Sequence, residues 1–419
     1  MPDRDALDRE TLAAAIDAGG RPWPTPFPPR QRPEARFGLL DVTKYFGPTT
    51  GGVRTYLLQK AAYVAAHPEL RQTIAIPGER DGLIDGDGVR CYRLRGARIP
   101  TQHPYRFLWA PRTMRRILEH ERPDLIEVGS PFLVPWTTHH VNRGLGVPMV
   151  WFYHGNVPHL VAPQPERSGG RRAAHAAAWA YVRRVSRLFR AVLVASDFVA
   201  EELARHGVDN ALRVPLGVDV DLFHPTRAAA RAATRARHGL DPDAPLAVFA
   251  GRFAREKRLE VLLRAWPAVA RRTGAQLALI GDGPSRRWFQ AQPGASQVHW
   301  LPFATDRAAL ADLLAAADLY VAAGPNETFG LAALEAMASG LPVLSVDRGG
   351  VPEQVRQSGA GDLYPDGDAA ALAETAVALL GRDLAALGLR ARAHAERHHA
   401  WPLALERIFD AYRRVAGQG

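Results

Sequence analysis

The sequence predicts an α/β fold built from two doubly wound, Rossmann-like domains facing each other across a cleft. Three observations predict it. The chain has 419 residues, which exceeds what one ordinary hydrophobic core accommodates and favours two domains of roughly 150–200 residues. Short β-type runs alternate with amphipathic helical patterns, first as FGLLDV, QTIAI, DLIEV, PMVWFY and AVLVAS, then as LAVFAG, QLALIGDG, VHWLPF, DLYVAA and LPVLSV. That alternation is the mark of parallel βαβ units. Between the two series lies VPLGVDVDLFHP (Val214–Pro225), rich in turn residues. Folds of this kind bind ligands at the carboxyl ends of their strands.

The expected organisation has four parts. Residues 1–35 combine a short helical pattern, Asp3 to Ala18, with the Pro-rich run RPWPTPFPPRQRPEAR, which cannot pair as a central strand. They read as a partly disordered extension outside the catalytic fold. Residues 36–221 form the first domain and 222–400 the second. In 401–419, apolar residues at helical spacing predict a helix that crosses back to the first domain.

Composition narrows the class. With 47% hydrophobic and 23% charged residues, disorder is excluded except locally. No run of eighteen apolar residues and no signal-peptide pattern occurs, so a cytoplasmic location is expected. The lone cysteine, Cys91, has no internal partner and reads as a small buried hydrophobe. The balance of 53 basic and 43 acidic residues, net +10, suggests anionic partners: nucleotide diphosphates, anionic lipid or nucleic acid. Nucleic acid is disfavoured, because no recognised binding motif appears and aromatics are only 8%. A dinucleotide oxidoreductase is disfavoured as well, since the turn after the first strand lacks a G-x-G-x-x-G frame.

The most informative stretch is NETFGLAALEAMASGLPV, starting at Asn326. It places Glu327 in the loop after an apolar strand and Glu335 inside a helix that begins near Gly330. A helix start presents free N–H groups and a positive dipole end, and a glycine there lets a diphosphate approach the backbone. Carboxylates repel phosphate, so Glu327 and Glu335 suit hydroxyl groups, such as those of a sugar and a ribose. In FAGRFAREKR, Arg252 and Lys257 follow a strand and open a helix. A bidentate guanidinium and a point ammonium there can neutralise a diphosphate leaving group. Gly51 and Gly52 follow the opening strand and precede a helical run, which permits close approach of a phosphate or makes only a tight turn. His154, in WFYHGN, ends a strongly apolar strand.

Taken in order, FGPTTGG, RPDLIEVGSP, FYHGN, VPLGVDVDLFHP, GRFAREKR, LIGDGP, GPNETFGLAALEAMASGLPV and GGVPEQV resemble the retaining GT-B glycosyltransferases of family 4 over about residues 37–415. The nearest type is the GDP-mannose-dependent mannosyltransferases that act on phosphatidylinositol mannosides. The resemblance implies a GT-B fold in which the first domain binds the acceptor and the second a nucleotide sugar. It implies that Glu327 contacts the donor sugar, that the Phe329, Gly330 and Leu331 backbone contacts sugar and β-phosphate, and that Glu335 holds the ribose. Arg252 and Lys257 would bind the diphosphate, Gly51 and Gly52 would close on it, and His154 would touch the sugar near the reacting carbon. His154, Glu327, Arg252 and Lys257 are thus the expected catalytic set.

The resemblance further implies no cofactor and no metal, so Asp219 and Asp221, a D-x-D in the hinge-like segment, read as a decoy. Donor and acceptor are expected to be GDP-mannose or another nucleotide-diphosphate sugar and a lipid-linked or glycan hydroxyl in cell-envelope glycoconjugate synthesis. A GT-B-type epimerase or phosphorylase is the alternative. Gly324-Pro325 replaces the Pro-Ser that often precedes the first glutamate, a departure from the family pattern. Finally, Arg183, Arg187 and Arg190 fall on one helical face with Trp179, Leu188 and Phe189 nearby. That face reads as solvated, or as a peripheral contact with anionic membrane.

Overall fold

The computed structural model describes residues 9–47, 51–100, 105–161, 169–304 and 306–417. The chain divides into two compact units, unit 1 from Met1–Ala195, Ala200–Val214 and Leu405–Gly419, and unit 2 from Ser196–Val199 and Pro215–Ala404. The division falls at Val214, seven residues before the expected boundary, so the hinge-like segment belongs to unit 2.

Unit 1 is built on eight strands: β1 (Phe37–Val42), β2 (Leu70–Gly78), β3 (Gly82–Asp85), β4 (Val89–Arg95), β5 (Leu125–Val128), β6 (Met149–Phe152), β7 (Ala191–Val194) and β8 (Ala211–Arg213). Their order is β3-β4-β2-β1-β5-β6-β7-β8. All neighbours are parallel except β3, which pairs antiparallel with β4. Every residue of β1, β2, β5, β6 and β7 is buried, as expected of parallel strands covered on both faces.

Unit 2 holds β9 (Leu246–Ala250), β10 (Gln276–Ile280), β11 (His299–Leu301), β12 (Leu319–Ala322), β13 (Val343–Val346) and β14 (Gly361–Tyr364). They run in the order β11-β10-β9-β12-β13-β14, all parallel, which is the 3-2-1-4-5-6 order of a dinucleotide-binding sheet. Its core shows how the pattern folds. The helix Leu259–Thr273 presents Leu259, Leu262, Leu263, Trp266 and Val269 at helical spacing, clustered with Phe249, Leu277 and Leu279 of the sheet. Each such side chain contributes about 1.5–3 kcal/mol on burial. In both sheets the strand order reverses at one place, between β1 and β5 and between β9 and β12. Ligands bind beyond the strand ends at such a reversal.

The N-terminal extension lies within unit 1 rather than outside it. Its helix Arg9–Ala18 buries Leu12 and Ile16, and Arg54 grips Asp17 with two 2.8 Å hydrogen bonds. Trp23 and Phe27 meet Tyr92 edge-on at 5.8 and 5.4 Å. Arg32 donates to four carbonyls, those of Val64, Ala65, His67 and Leu70, at 2.8–3.2 Å. These include the end of the helix Gly52–Ala66, where carbonyls lack helical partners. Proline therefore excludes this segment from a strand without excluding it from the fold. Arg32→Ala is expected to cost about 2 kcal/mol and to lower the melting temperature by about 5 °C in a thermal melt; an unchanged melt would refute the capping role.

The last helix, Trp401–Ala416, joins unit 1 from Leu405 onward. There Phe409 stands edge-on to Phe37 at 6.3 Å and stacks on Tyr63 at 5.4 Å. Cys91 is fully buried in β4, and burial pushes its thiol up to about 12.

The arginine face expected between β6 and β7 is not formed. The helix Gly169–Ser186 ends before Arg187, so Arg187 and Arg190 lie in the turn that follows. Arg183 and Arg190 donate to the His206 and Val415 carbonyls at 3.3 and 3.0 Å. Trp179 and Phe189 are core residues, stacked on His206 at 3.7 Å and Trp151 at 6.0 Å. No helix among the described residues is long and apolar enough to cross a membrane.

Candidate active site

In unit 2 the predicted residues gather beyond β9 and β12, the two strands at the order reversal. After β9 the chain passes Arg252 and a tight turn, Arg255–Lys257, before entering the helix Leu259–Thr273. After β12 comes the loop bearing Asn326, Glu327 and Thr328, and then Gly330, which starts the helix Leu331–Ala338. Gly330 sits at φ +89°, and a Cβ there would lie 2.3 Å from Val351 Cγ2. Only glycine fits both constraints. The helix start has no side-chain cap, which leaves first-turn N–H groups for an anion.

This loop is clamped from the GGVPEQV stretch. The Gly350 amide donates to the Glu327 carbonyl at 2.7 Å and Gln354 Nε2 to the Phe329 carbonyl at 2.6 Å. The Phe329 ring is buried beside His399, 5.6 Å away, so only its backbone is offered to a ligand.

The charges of the site are paired. Lys257 Nζ forms an ion pair with Glu327 Oε1. Arg252, exposed, pairs with Glu256 at 2.8 Å. Glu335 is 7% exposed and accepts from Arg307 Nη2 at 2.8 Å, while the Arg307 guanidinium rests 4.9 Å from the Phe223 ring centroid. Sequence reasoning missed Arg307. Its signal was the one used for Arg252, a basic residue opening a helix just after a strand, here β11. Asn326 was missed too, and its Oδ1 is buried with no hydrogen-bond partner, an acceptor available to a hydroxyl. Asp219, the suspected decoy, accepts from the Leu222 amide at 3.0 Å and so braces a turn.

In unit 1, Gly51 precedes the helix Gly52–Ala66. A Cβ at Gly51 would meet nothing within 4 Å, so protein packing does not demand glycine there. His154 follows β6. Its ring stacks on Phe152 at 4.3 Å and meets the Tyr56 edge at 5.5 Å. Burial, reinforced by the Lys60 ammonium, pushes the imidazole down to about 3, so near neutrality it is an uncharged hydrogen-bonding group.

His154, Asp41 and Glu127 line one small concavity, and the two carboxylates are held from beneath. Lys60 Nζ lies 2.7 Å from Asp41 Oδ1, 3.2 Å from Glu127 Oε1 and 2.9 Å from the Tyr412 hydroxyl. The Tyr56 hydroxyl donates to Glu127 Oε2 at 3.0 Å, Tyr412 reaches the same oxygen, and Gln72 donates to Asp41 Oδ2 at 2.6 Å. Burial raises the Glu127 carboxyl above its ordinary range, with Lys60 opposing.

Two doubly wound sheets of this order, parallel throughout but for β3, are those of the GT-B fold. Solved structures show the same fold. Sucrose-phosphate synthase from Thermosynechococcus elongatus matches with a TM-score of 0.74 over 92% of this chain and 100% of that one, at 22% identity. WaaG, a glycosyltransferase involved in lipopolysaccharide biosynthesis, matches at 0.64 over 91% and 100%, at 18% identity.

Residues 50–222 match the model described as Glycosyltransferase Family 4 and residues 244–382 the one described as Glycosyl transferases group 1. A Mycobacterium tuberculosis GDP-mannose-dependent α-(1-6)-phosphatidylinositol dimannoside mannosyltransferase is 33% identical over 73% of this chain and 78% of its own length. A GDP-mannose-dependent α-mannosyltransferase of the same organism is 30% identical over 82% and 86%. The chain belongs to glycosyltransferase family 4.

Proposed function

We propose that this glycosyltransferase moves mannose from GDP-mannose to a hydroxyl of a lipid-linked or glycan acceptor in cell-envelope synthesis, with retention at the anomeric carbon and without a metal. The observation that carries the reading is the paired set Lys257–Glu327 and Arg307–Glu335 around the uncapped helix start at Gly330. The names of the relatives support the donor. In this reading Glu327 and Asn326 accept hydroxyls of the donor sugar and Glu335 those of the ribose. Arg252, Lys257 and the first-turn amides of Leu331–Ala338 hold the diphosphate. The roles of Gly51, Gly52 and His154 implied by the family resemblance belong to the same proposal, with His154 as a neutral hydrogen-bonding group.

The step breaks the bond from the anomeric carbon to the diphosphate oxygen and forms one to the acceptor oxygen on the same face. The acceptor's proton passes to the departing phosphate. Support for same-face attack comes from Asp41 and Glu127, which are engaged with Lys60, Gln72, Tyr56 and Tyr412 and so are not free nucleophiles. Peripheral contact with an anionic membrane is part of the proposal, resting on the lipid-linked acceptor rather than on a helix face.

A thermal-shift panel tests the donor, because a ligand that binds only the folded chain raises its melting temperature. GDP and GDP-mannose are expected to shift the melt, UDP- and ADP-sugars far less, and transfer is expected to survive EDTA. A UDP-sugar that alone shifts the melt, or loss of transfer on chelation restored by Mg²⁺ or Mn²⁺, overturns the corresponding assignment. Free nucleotide plus isomerised sugar formed without acceptor would instead indicate an epimerase.

A further inference from the structure

The helix Gly52–Ala66 is held at both ends by the N-terminal extension. At its last turn Arg32 bonds the open carbonyls described above. At its first turn the hold matters more, because the core does not supply it. None of residues 51–55 is buried, and core packing begins only at Tyr56, Leu57 and Leu58. The helix start has no side-chain cap either. A first turn with neither core packing nor a cap opens at little cost, yet this turn carries Gly51 and Gly52.

Arg54 supplies the hold. Its guanidinium takes both oxygens of Asp17 at 2.8 Å and rests 5.0 Å from the Phe46 ring centroid. One side chain thus ties the extension to both flanks of FGPTTGG, the buried Phe46 before the glycines and the helix turn after them. A planar fork seated between a carboxylate and a ring has little freedom to wander. Asp17 in turn stands on a fixed base. Leu12 and Ile16 of its helix are buried, Arg93 donates to the Ile16 carbonyl at 3.0 Å, and Arg21 and Leu83 of β3 exchange backbone hydrogen bonds of 3.0 and 2.8 Å. A Cβ at Gly82 would lie 2.1 Å from the Gly19 carbonyl oxygen, so the extension and β3 meet with no room for a side chain. Val53 and Leu57, a turn apart on the held helix, line the same concavity as His154, so a shift of this turn is felt there as well.

We propose that the N-terminal extension is a positioning clamp: Asp17, acting through Arg54, fixes Gly51 and Gly52 in the place where they receive the donor diphosphate. In this reading neither Asp17 nor Arg54 touches substrate. The glycines have no side chains to anchor them, and a Cβ at Gly51 would meet nothing within 4 Å, so their placement is inherited from the turn that follows. The inference rests on the proposed function for the role of the glycines, not for the clamp itself.

The test is Asp17→Ala in the full-length chain, compared with wild type by amide hydrogen exchange and by steady-state kinetics with GDP-mannose well below the melting temperature. Exchange at residues 55–58 is expected to rise about tenfold while residues 59–64 stay unchanged. KM for GDP-mannose is expected to rise about tenfold with kcat within about twofold, because the loss falls on the placement of groups that hold the diphosphate. A pair that only stabilised the fold would lower the melt and leave KM where it was. Arg32→Ala, which loosens the far end of the same helix, supplies that comparison: its melt falls and its KM does not move. Asp17→Arg combined with Arg54→Asp puts each charge at a helix end that favours it, and should bring exchange and KM back to within about threefold of wild type. Unchanged exchange or unchanged KM in Asp17→Ala, the same KM rise in Arg32→Ala, or no recovery in the double variant overturns the clamp. If the wild type neither binds nor turns over GDP-mannose, the donor reading fails instead, and the exchange measurement, which needs no substrate, still decides whether Asp17 fixes the turn.

Discussion

Glu327→Gln is expected to lower kcat by about 100-fold while GDP, the product nucleotide of the proposed reaction, binds about fivefold more tightly than to wild type. The first effect follows from the proposed contact between this carboxylate and the donor sugar. The second follows from its ion pair with Lys257. An ammonium shared with a carboxylate is a weaker partner for phosphate than a free one, and an amide at position 327 releases it. Both groups are only partly buried, with side chains 21% and 25% exposed, so the gain is that of a screened pair rather than a buried one.

Glu335→Gln should behave differently. It lies 7% exposed, held by Arg307, and in the proposed function its carboxylate accepts the ribose hydroxyls. An amide there is the weaker acceptor, so GDP affinity is expected to fall by about tenfold, with kcat at saturating donor less affected. Steady-state kinetics paired with GDP calorimetry separates the two. Matching profiles for both variants, or weaker GDP binding to Glu327→Gln, would refute the assignment of the first carboxylate to sugar and the second to ribose.

The part of the candidate site in unit 2 was legible as a cluster because its residues are local in sequence. Glu327, Gly330 and Glu335 lie within one loop and helix, and Arg252 and Lys257 within one turn, so the motif and the geometry coincide. What escaped were partners brought in by the fold. Arg307 reaches Glu335 across 28 positions, Gln354 reaches Phe329 across 25, and neither residue type signals a destination. The fold class followed from the apolar runs. Four strands were missed, β3, β4, β8 and β14. Of these, β3 and β8 are only four and three residues long, while polarity disguises the other two: β4, VRCYRLR, carries a buried Arg90 neutralised by Asp85 and Glu121, and β14, GDLY, is short and half polar. The arginine face failed for the converse reason, since helical spacing continued past Ser186 while the helix did not.

Lys60 carries the largest stability effect and was the least legible of all. It sits in the middle of the helix Gly52–Ala66, where a lysine ordinarily points to water, yet it is fully buried. Its three partners lie 19, 67 and 352 positions away, at Asp41, Glu127 and Tyr412, so only the closed fold of unit 1 assembles them. Lys60→Met is expected to cost about 3–5 kcal/mol, because it leaves Asp41 and Glu127 facing each other without a cation in a dry interior. The melting temperature should then fall by about 10 °C or more.

The pH dependence gives the loss its signature. Burial already raises the Glu127 carboxyl, and Lys60 is the main force opposing that rise. Without Lys60 the folded-state value climbs further above the unfolded one. A carboxyl raised on folding contributes stability that is complete below its unfolded pKa and lost as pH rises through its folded pKa. The deficit of Lys60→Met should therefore be smaller at pH 5 than at pH 8, and a Lys60→Met, Glu127→Gln double variant should recover part of the loss at pH 8. Melts of wild type and the two variants at both pH values check this. A deficit of equal size at pH 5 and pH 8, with no recovery in the double variant, would mean that the lysine acts by packing alone and that its charge does not hold the two carboxylates together.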